Sequence, residues 1–329
     1  MFLLHTEIFW WDLLLLLLLS FSLSGIFACE IWRRRHREKR FRRVGVRCVE
    51  LLALLGLALL VYGSFVEPHI LTTTKFSVPF GASESLRIVV IGDLHVGPYT
   101  GNGKVERAVE RANQLLPDFV FLTGDFILGN NSDLSLLDPL GDLRTTQGVY
   151  AVLGNHDAGF VTNMLQQRMR KDDQSEAVAT KLAALGATVL RNTHAVVHTG
   201  DTAIAIAGVE DIWANRHNLA AALSGIPEKA PVILLSHNPD SILHPQIDAV
   251  DLVVSGHTHG GQMRLPLLGS LARMPTELGR DFDHGLFPFP ASAKDEGSLF
   301  ITRGVGVSGP RARLFAWPEV ALLTTTAAR

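Results

Sequence analysis

Five short segments of the chain each place Asp, Asn or His directly after a run with the composition of a buried β-strand. They are Gly92-Asp93-Leu94-His95, Gly124-Asp125, Gly154-Asn155-His156-Asp157, Ser236-His237-Asn238 and Gly256-His257-Thr258-His259. Asp93, Asp125 and Asn155 offer oxygen donors, and His95, His237, His257 and His259 offer imidazole nitrogens. Such a set, without sulfur, suits Mn²⁺, Fe or Zn²⁺ and disfavours Cu(I). Seven donors exceed what one ion takes from side chains while keeping a position for water, so two divalent metal ions sharing one carboxylate fit better. Asp125 is able to bridge both, and Asn155 adds a ligand oxygen without negative charge. Taken singly the residues say less: a lone His237 reads as a hydrogen-bonded core residue, Gly-Asn as turn chemistry and Asp125 as a helix N-cap. The metal site is carried by the constellation.

The elements that must position these donors are legible as apolar runs. Leu86–Ile91, Phe119–Thr123, Val149–Leu153, Val232–Leu235 and Leu252–Ser255 predict short strands buried on both faces. Open α/β sheets gather their chemistry in loops beyond the carboxyl ends of such strands. Apolar periodicity predicts helices over Lys104–Leu116, ended by Pro117, and Ser175–Leu185, closed by Gly186. A further helix is expected over Asn215–Leu223, and the charged stretch Thr162–Ala184 reads as a solvated helix. Further strands are expected at Ala187–Leu190, Ala203–Ala207, Leu299–Thr302 and Val320–Thr324. The alternation predicts one layered α/β core of about 260 residues.

The N-terminal part is of another kind. Leu13–Cys29 and Leu51–Val66 are apolar runs that, with their flanks, reach the roughly 17–22 residues needed to cross a bilayer. Trp10, Trp11, Trp32 and Tyr62 lie near their ends, as interfacial aromatics do. Between them runs the basic stretch from Arg33 to Arg43, whereas residues 1–12 hold no Lys or Arg. The positive-inside bias places that loop in the cytoplasm and everything from residue 67 outside. A cleaved signal peptide is disfavoured, because the first run lacks a basic n-region. Residues 1–65 hold nine of the 30 Lys/Arg and five of the 32 Asp/Glu, and the remainder holds 21 against 27. An acidic α/β portion lacks the footprint of a nucleic-acid groove, so no nucleic-acid partner is expected. The two cysteines, Cys29 and Cys48, both lie at the apolar segments, which leaves no thiolate site elsewhere.

Asp-x-His, Gly-Asp, Gly-Asn-His-Asp, a lone His and Gly-His-Thr-His, in that order, resemble the calcineurin-like metallophosphoesterases. Gly260-Gly261-Gln262 and the apolar N-terminus resemble the membrane-associated bacterial branch of that family. The likeness runs from residue 86 to about 320. It implies an α/β four-layer α-β-β-α sandwich, residues 67–329, preceded by a two-helix transmembrane hairpin, residues 1–66. It implies one metal held by Asp93, His95, Asp125 and His259, and another held by Asp125, Asn155, His237 and His257. His156 would stand beside the substrate, oriented by Asp157, to protonate the leaving alkoxide or stabilise the transition state.

The implied activity is hydrolysis of a phosphodiester or pyrophosphate, on a phosphorylated small molecule or lipid, by metal-activated hydroxide. The implied location is the cell inner membrane, multi-pass, with the enzyme facing the periplasm. Two alternatives stand beside this. The chain also looks somewhat like relatives that cleave UDP-2,3-diacylglucosamine pyrophosphate in lipid A synthesis, a cytoplasmic chemistry. A catalytically silent membrane protein that only binds ligand is the other. The chain departs from the family at Leu128, where a second Asp is common, and in the loosely matching tail from Met263 to Glu319. Gln262 could touch the site, Arg303 could meet a phosphate, and Glu210, Asp211 and Arg216 could line the cleft or simply cap and solvate it.

Overall fold

The structure, a computed structural model, describes residues 6–35, 40–81, 84–129, 132–162, 168–200, 202–290 and 296–326. It opens with two long helices, α1 (Thr6–Arg35) and α2 (Arg40–Phe65). They pack against each other as an antiparallel pair. At one end Arg33 Nε lies 3.8 Å from Glu50 Oε2. At the other, Trp11 packs on Gly309, where a Cβ would come within 3.4 Å of its indole nitrogen. Spans of 25 and 26 residues, Trp11–Arg35 and Val44–His69, have mean hydropathies of 2.2 and 2.3 and are not buried in the rest of the protein. At about 1.5 Å per residue such helices cross an apolar layer of about 30 Å, which associates the chain with a membrane. Residues 36–39 of the basic stretch lie outside the described residues.

After a 3₁₀ turn at Glu67–His69 the α/β portion begins with β1 (Thr72–Pro79), β2 (Arg87–Ile91), α3 (Asn102–Gln114), β3 (Phe119–Leu122) and β4 (Gly148–Ala151). Then come β5 (Phe160–Thr162), β6 (Arg168–Arg170), α4 (Ser175–Ala184), β7 (Ala187–Val189), β8 (Thr193–Thr199) and β9 (Thr202–Gly208). The chain continues through α5 (Leu219–Leu223), β10 (Val232–Leu235), β11 (Leu252–Ser255), β12 (Arg264–Leu265) and β13 (Gly269–Ser270). It ends with β14 (Gly285–Pro290), β15 (Glu296–Ile301) and β16 (Glu319–Thr326).

Two six-stranded sheets result, ordered β1-β16-β2-β3-β4-β7 and β14-β15-β11-β10-β9-β8. Strands β2, β3, β4 and β7 run parallel, as do β9, β10, β11 and β15. Phe119, Phe121, Ile206, Ile233, Leu235 and Phe300 fill the space between the sheets. Each such fully buried side chain contributes roughly 1.5–3 kcal/mol. Alternate residues of β2 and β3 (Val89, Ile91, Val120, Leu122) turn the other way, onto Val105, Ala108 and Val109 of α3 and Val178 and Leu182 of α4. Ala205, Leu234 and Val253 of the second sheet likewise meet Leu219 and Ala222 of α5. The architecture is the expected four-layer sandwich, and double-sided burial explains why its central strands read as continuous apolar runs.

Two expected helices change form. Among the described residues of Thr162–Ala184 only Ser175–Ala184 is helical; Phe160–Thr162 pairs antiparallel with Arg168–Arg170, and the Lys171 N–H bonds Gly159 O. The expected helix at 215–223 shrinks to α5. Asn215 takes a positive φ of 55°, and Asn218 caps the helix by accepting from Ala221 N–H.

Candidate metal centre

The loops after β2, β3, β4, β10 and β11 converge at one place. Asp93 and His95 follow β2, Asp125 follows β3, Asn155 follows β4, His237 follows β10, and His257 and His259 follow β11. All seven are buried. Five of them hold left-handed backbone: Asp93 (φ 52°), His95 (45°), Asp125 (53°), His257 (72°) and His259 (53°). Each such residue costs about 1–3 kcal/mol and persists only where surrounding packing over-determines it, which is usual at functional sites. Close backbone approach is part of that packing. Gly304 (φ 68°) sits so near that a Cβ would lie 2.6 Å from Asp93 Cβ. A Cβ on Gly124 would meet Gly154 N at 2.7 Å and His237 Nδ1 at 2.9 Å.

The donors form two groups with one residue in common. Asp93, His95, Asp125 and His259 make the first, and Asp125, His237 and His257 the second, with donor atoms within 4.8 Å of one another. Asp125 Oδ2 lies 3.4 Å from His95 Nε2 and 3.3 Å from His237 Nε2. His95 Nε2 and His259 Nε2 are 3.0 Å apart, and His257 Nδ1 is 3.1 Å from His237 Nε2. Asn155 Oδ1 joins the second group, 3.1 Å from His237 Nε2. His237 Nδ1 donates to Thr123 O at 2.7 Å, which turns Nε2 toward these oxygens.

These residues fit a pair of divalent cations. Asp93 Oδ2 is enclosed with no hydrogen-bond partner among the described residues, a costly state for a carboxylate oxygen unless a cation meets it. Burial holds His257 down to about 3 and His95 and His259 well below the usual imidazole range. It keeps them in the neutral form that has a lone pair for a metal. His237 behaves oppositely. Burial opposes its charge, but the carboxylates of Asp125, Asp93 and Asp211 lift it to about 10. A bound cation would take the place of that proton.

His156 stands at the rim. Its ring meets that of His95 edge-on at 4.5 Å, and its Nε2 faces Ser308 Oγ at 3.3 Å. The expected orienting partner is corrected. Asp157 does not reach the His156 ring, because its carboxylate accepts from the N–H groups of Phe126, Ile127 and Gly154. The Leu128 carbonyl orients His156 instead, accepting from Nδ1 at 2.9 Å. Asp157 therefore ties the loop after β3 to the loop after β4.

Other residues resolve toward structure. Arg303 is committed to Glu319, Nε and Nη2 lying 3.0 and 2.7 Å from Oε2, so it is not free to meet a phosphate. Gln262 grips the 308–310 loop through Ser308 and Pro310. Asp211 accepts from Ala214 N, Glu210 pairs with Arg191, and Arg216 pairs with Asp173.

Arg313 and Ser308 are additions with no sequence signal, since both lie in the loosely matching tail. Arg313 is fully buried and donates to the carbonyls of Arg303, Gly306 and Ala316, with Nη2 3.4 Å from His259 Nδ1. Trp213 places its ring edge-on to His257 at 4.6 Å.

Two mixed sheets whose central parallel strands deliver buried Asp, Asn and His to one edge give the fold and site of a metal-dependent phosphoester hydrolase. The Calcineurin-like phosphoesterase profile matches residues 86–261, and the chain belongs to that family. The chain is 31% identical to the phosphodiesterase YaeI of Escherichia coli over 72% of its own length and 81% of that protein. It is 28% identical to the UDP-2,3-diacylglucosamine pyrophosphatase LpxG of Chlamydia trachomatis, covering 80% of this chain and 92% of that one. It is also 28% identical to a transmembrane protein with metallophosphoesterase domain of Danio rerio, over 97% and 74% of the two chains.

Proposed function

We propose that this chain is a membrane-anchored two-metal phosphoesterase that hydrolyses a phosphodiester or pyrophosphate bond, on a lipid-linked substrate. Residues 1–66 serve as the anchor and 67–329 as the catalytic domain. The observation that carries the reading is the shared carboxylate: Asp125 Oδ2 within 3.4 Å of an imidazole from each of two donor groups. Asp93, His95, Asp125 and His259 hold one divalent ion, and Asp125, Asn155, His237 and His257 the other. When bound, such a pair lowers the pKa of water toward neutral and neutralises charge on phosphate oxygens. The chain supplies the rest. Buried neutral imidazoles keep the site electron-rich, and the strained loops hold the donors without rearrangement. With Nδ1 fixed on Leu128 O, His156 presents Nε2 to the substrate and gives a proton to the leaving oxygen when protonated.

The helix pair supports one topology. The Trp11 end of α1 and the Phe65 end of α2 both meet the α/β portion, so Arg33–Arg35 and the start of α2 lie at the far end of the pair. The positive-inside bias then supports an inner-membrane, multi-pass protein whose active site faces the periplasm. Likeness to LpxG supports a second reading, cleavage of a UDP-diacylglucosamine pyrophosphate, which requires the opposite topology.

The test is hydrolysis of an aryl phosphodiester, an aryl phosphomonoester and a nucleotide-linked pyrophosphate by the full chain with Mn²⁺. Asp125→Asn should abolish turnover of the preferred substrate, and His156→Ala should lower kcat about 10²–10⁴-fold. Metal-loaded protein with no turnover of any of the three would leave the ligand-binding alternative. A cytoplasm-dependent reporter at the C-terminus should stay silent; an active one favours the pyrophosphatase reading.

A further inference from the structure

We propose that the cavity at the joint between α2 and the α/β portion is a seat for the phosphate of an anionic membrane lipid. The cavity, about 170 Å³, is lined by Ser64 and His69 from the end of α2 and its 3₁₀ turn, and by Tyr99, Lys104 and Arg311. Lys104 is only 7 % exposed. Among the described residues its ammonium has neither a hydrogen bond nor an ion pair, and the charges that act on it, Arg313 and Arg107, have its own sign. A buried ammonium without a counter-charge is strongly unfavourable. Burial and those neighbours lower it to about 7, and an arriving anion would restore its charge. Arg311 stacks its guanidinium on Phe65 at 4.8 Å and near Tyr99 at 5.7 Å, with no ion pair among the described residues. A stacked guanidinium keeps its N–H edge for bidentate contact with phosphate.

The surroundings point to lipid as the source of that phosphate. The segment carrying Arg311 runs against the end of α2, with Arg313 N donating to Gly63 O and Trp317 Nε1 3.3 Å from Tyr62 Oη. The same segment exposes Phe315 and Trp317. It is bonded through Leu314 to the β12–β13 hairpin, whose tip presents Leu267 and Leu268 to solvent. Large exposed apolar side chains beside the exit of a membrane helix mark contact with the bilayer. The seat needs no metal, so it does not depend on the hydrolysis reading.

The experiment follows thermal unfolding of the full chain in neutral maltoside micelles, titrated separately with dioctanoyl phosphatidic acid, dioctanoylglycerol and inorganic phosphate. The acid should raise Tm saturably and the other two should not. Lys104→Met and Arg311→Gln should each lose the shift, and His257→Ala should keep it, which separates this seat from the metal centre. Without lipid, Lys104→Met should melt no earlier than the parent, because it removes an uncompensated charge. Absence of a shift in the parent, an equal shift with phosphate or dioctanoylglycerol, or a shift that survives both variants and vanishes in His257→Ala would each overturn the proposal.

Discussion

Several side chains around the site are fixed by neighbours outside the donor set. His237 illustrates it: one ring nitrogen is spent on Thr123 O, which leaves the other for the shared carboxylate. Asp157 is the residue whose role changes most between sequence and structure. Its two oxygens accept three backbone N–H groups from two loops, so Asp157→Asn sets an amide N–H₂ against those donors. The expected cost is about 2 kcal/mol of stability, read as a fall of roughly 4–8 °C in Tm. The His156 ring stays on Leu128 O in that variant. Loss of activity in Asp157→Asn at unchanged Tm would instead restore the orienting role.

Elements act on the site by bringing backbones closer than side chains allow. The loop after β15 packs Gly304 directly on Asp93, with φ 68° and no room for a Cβ. Gly304→Ala therefore strains that loop by about 1–3 kcal/mol and pushes the Asp93 carboxylate away. Metal affinity should fall roughly 10–100-fold, measured by titrating metal into the variant and following its bound stoichiometry. Behind this loop the Arg303–Glu319 pair is buried and bonded to the Thr302 hydroxyl and the Arg303 N–H. It anchors the carboxyl end of β15 to the start of β16 beside the site.

At the scale of the molecule, the loops of both sheets close over one cluster of like-natured donors, so bound ions should stabilise the whole sandwich. A chelator is expected to lower Tm reversibly, because a ligand present at 100 times its Kd contributes about 2.7 kcal/mol. The joint to the membrane helices has its own signature in pH. Burial depresses Lys104 to about 7, so between pH 7 and its ordinary value of 10.5 the unfolded chain holds a proton that the folded chain has lost. Stability then rises with pH across that window. The rise, compared by denaturant unfolding in micelles, should be smaller in Lys104→Met than in the parent.

Sequence by itself determined the strands and the donors, because both are local. An apolar run of four or five residues buried on two faces has no polar alternation to hide it, and a donor two or three residues past its end is a fixed offset. It also determined the apolar helix pair, whose length and composition suit a membrane. Tertiary structure alone decided what depends on residues far apart in the chain. The partner of His156 is a main-chain carbonyl, which side-chain identity does not encode, so Asp157 was the natural but mistaken choice. Arg303 is held by Glu319 and Arg313 by carbonyls of the β15–β16 connection, and nothing in the Met263–Glu319 segment signals either contact. The same holds for Lys104: a lysine on an amphipathic helix suggests a solvated side chain, and only the tertiary fold sets it, nearly buried, in a cavity beside the end of α2 and Arg311.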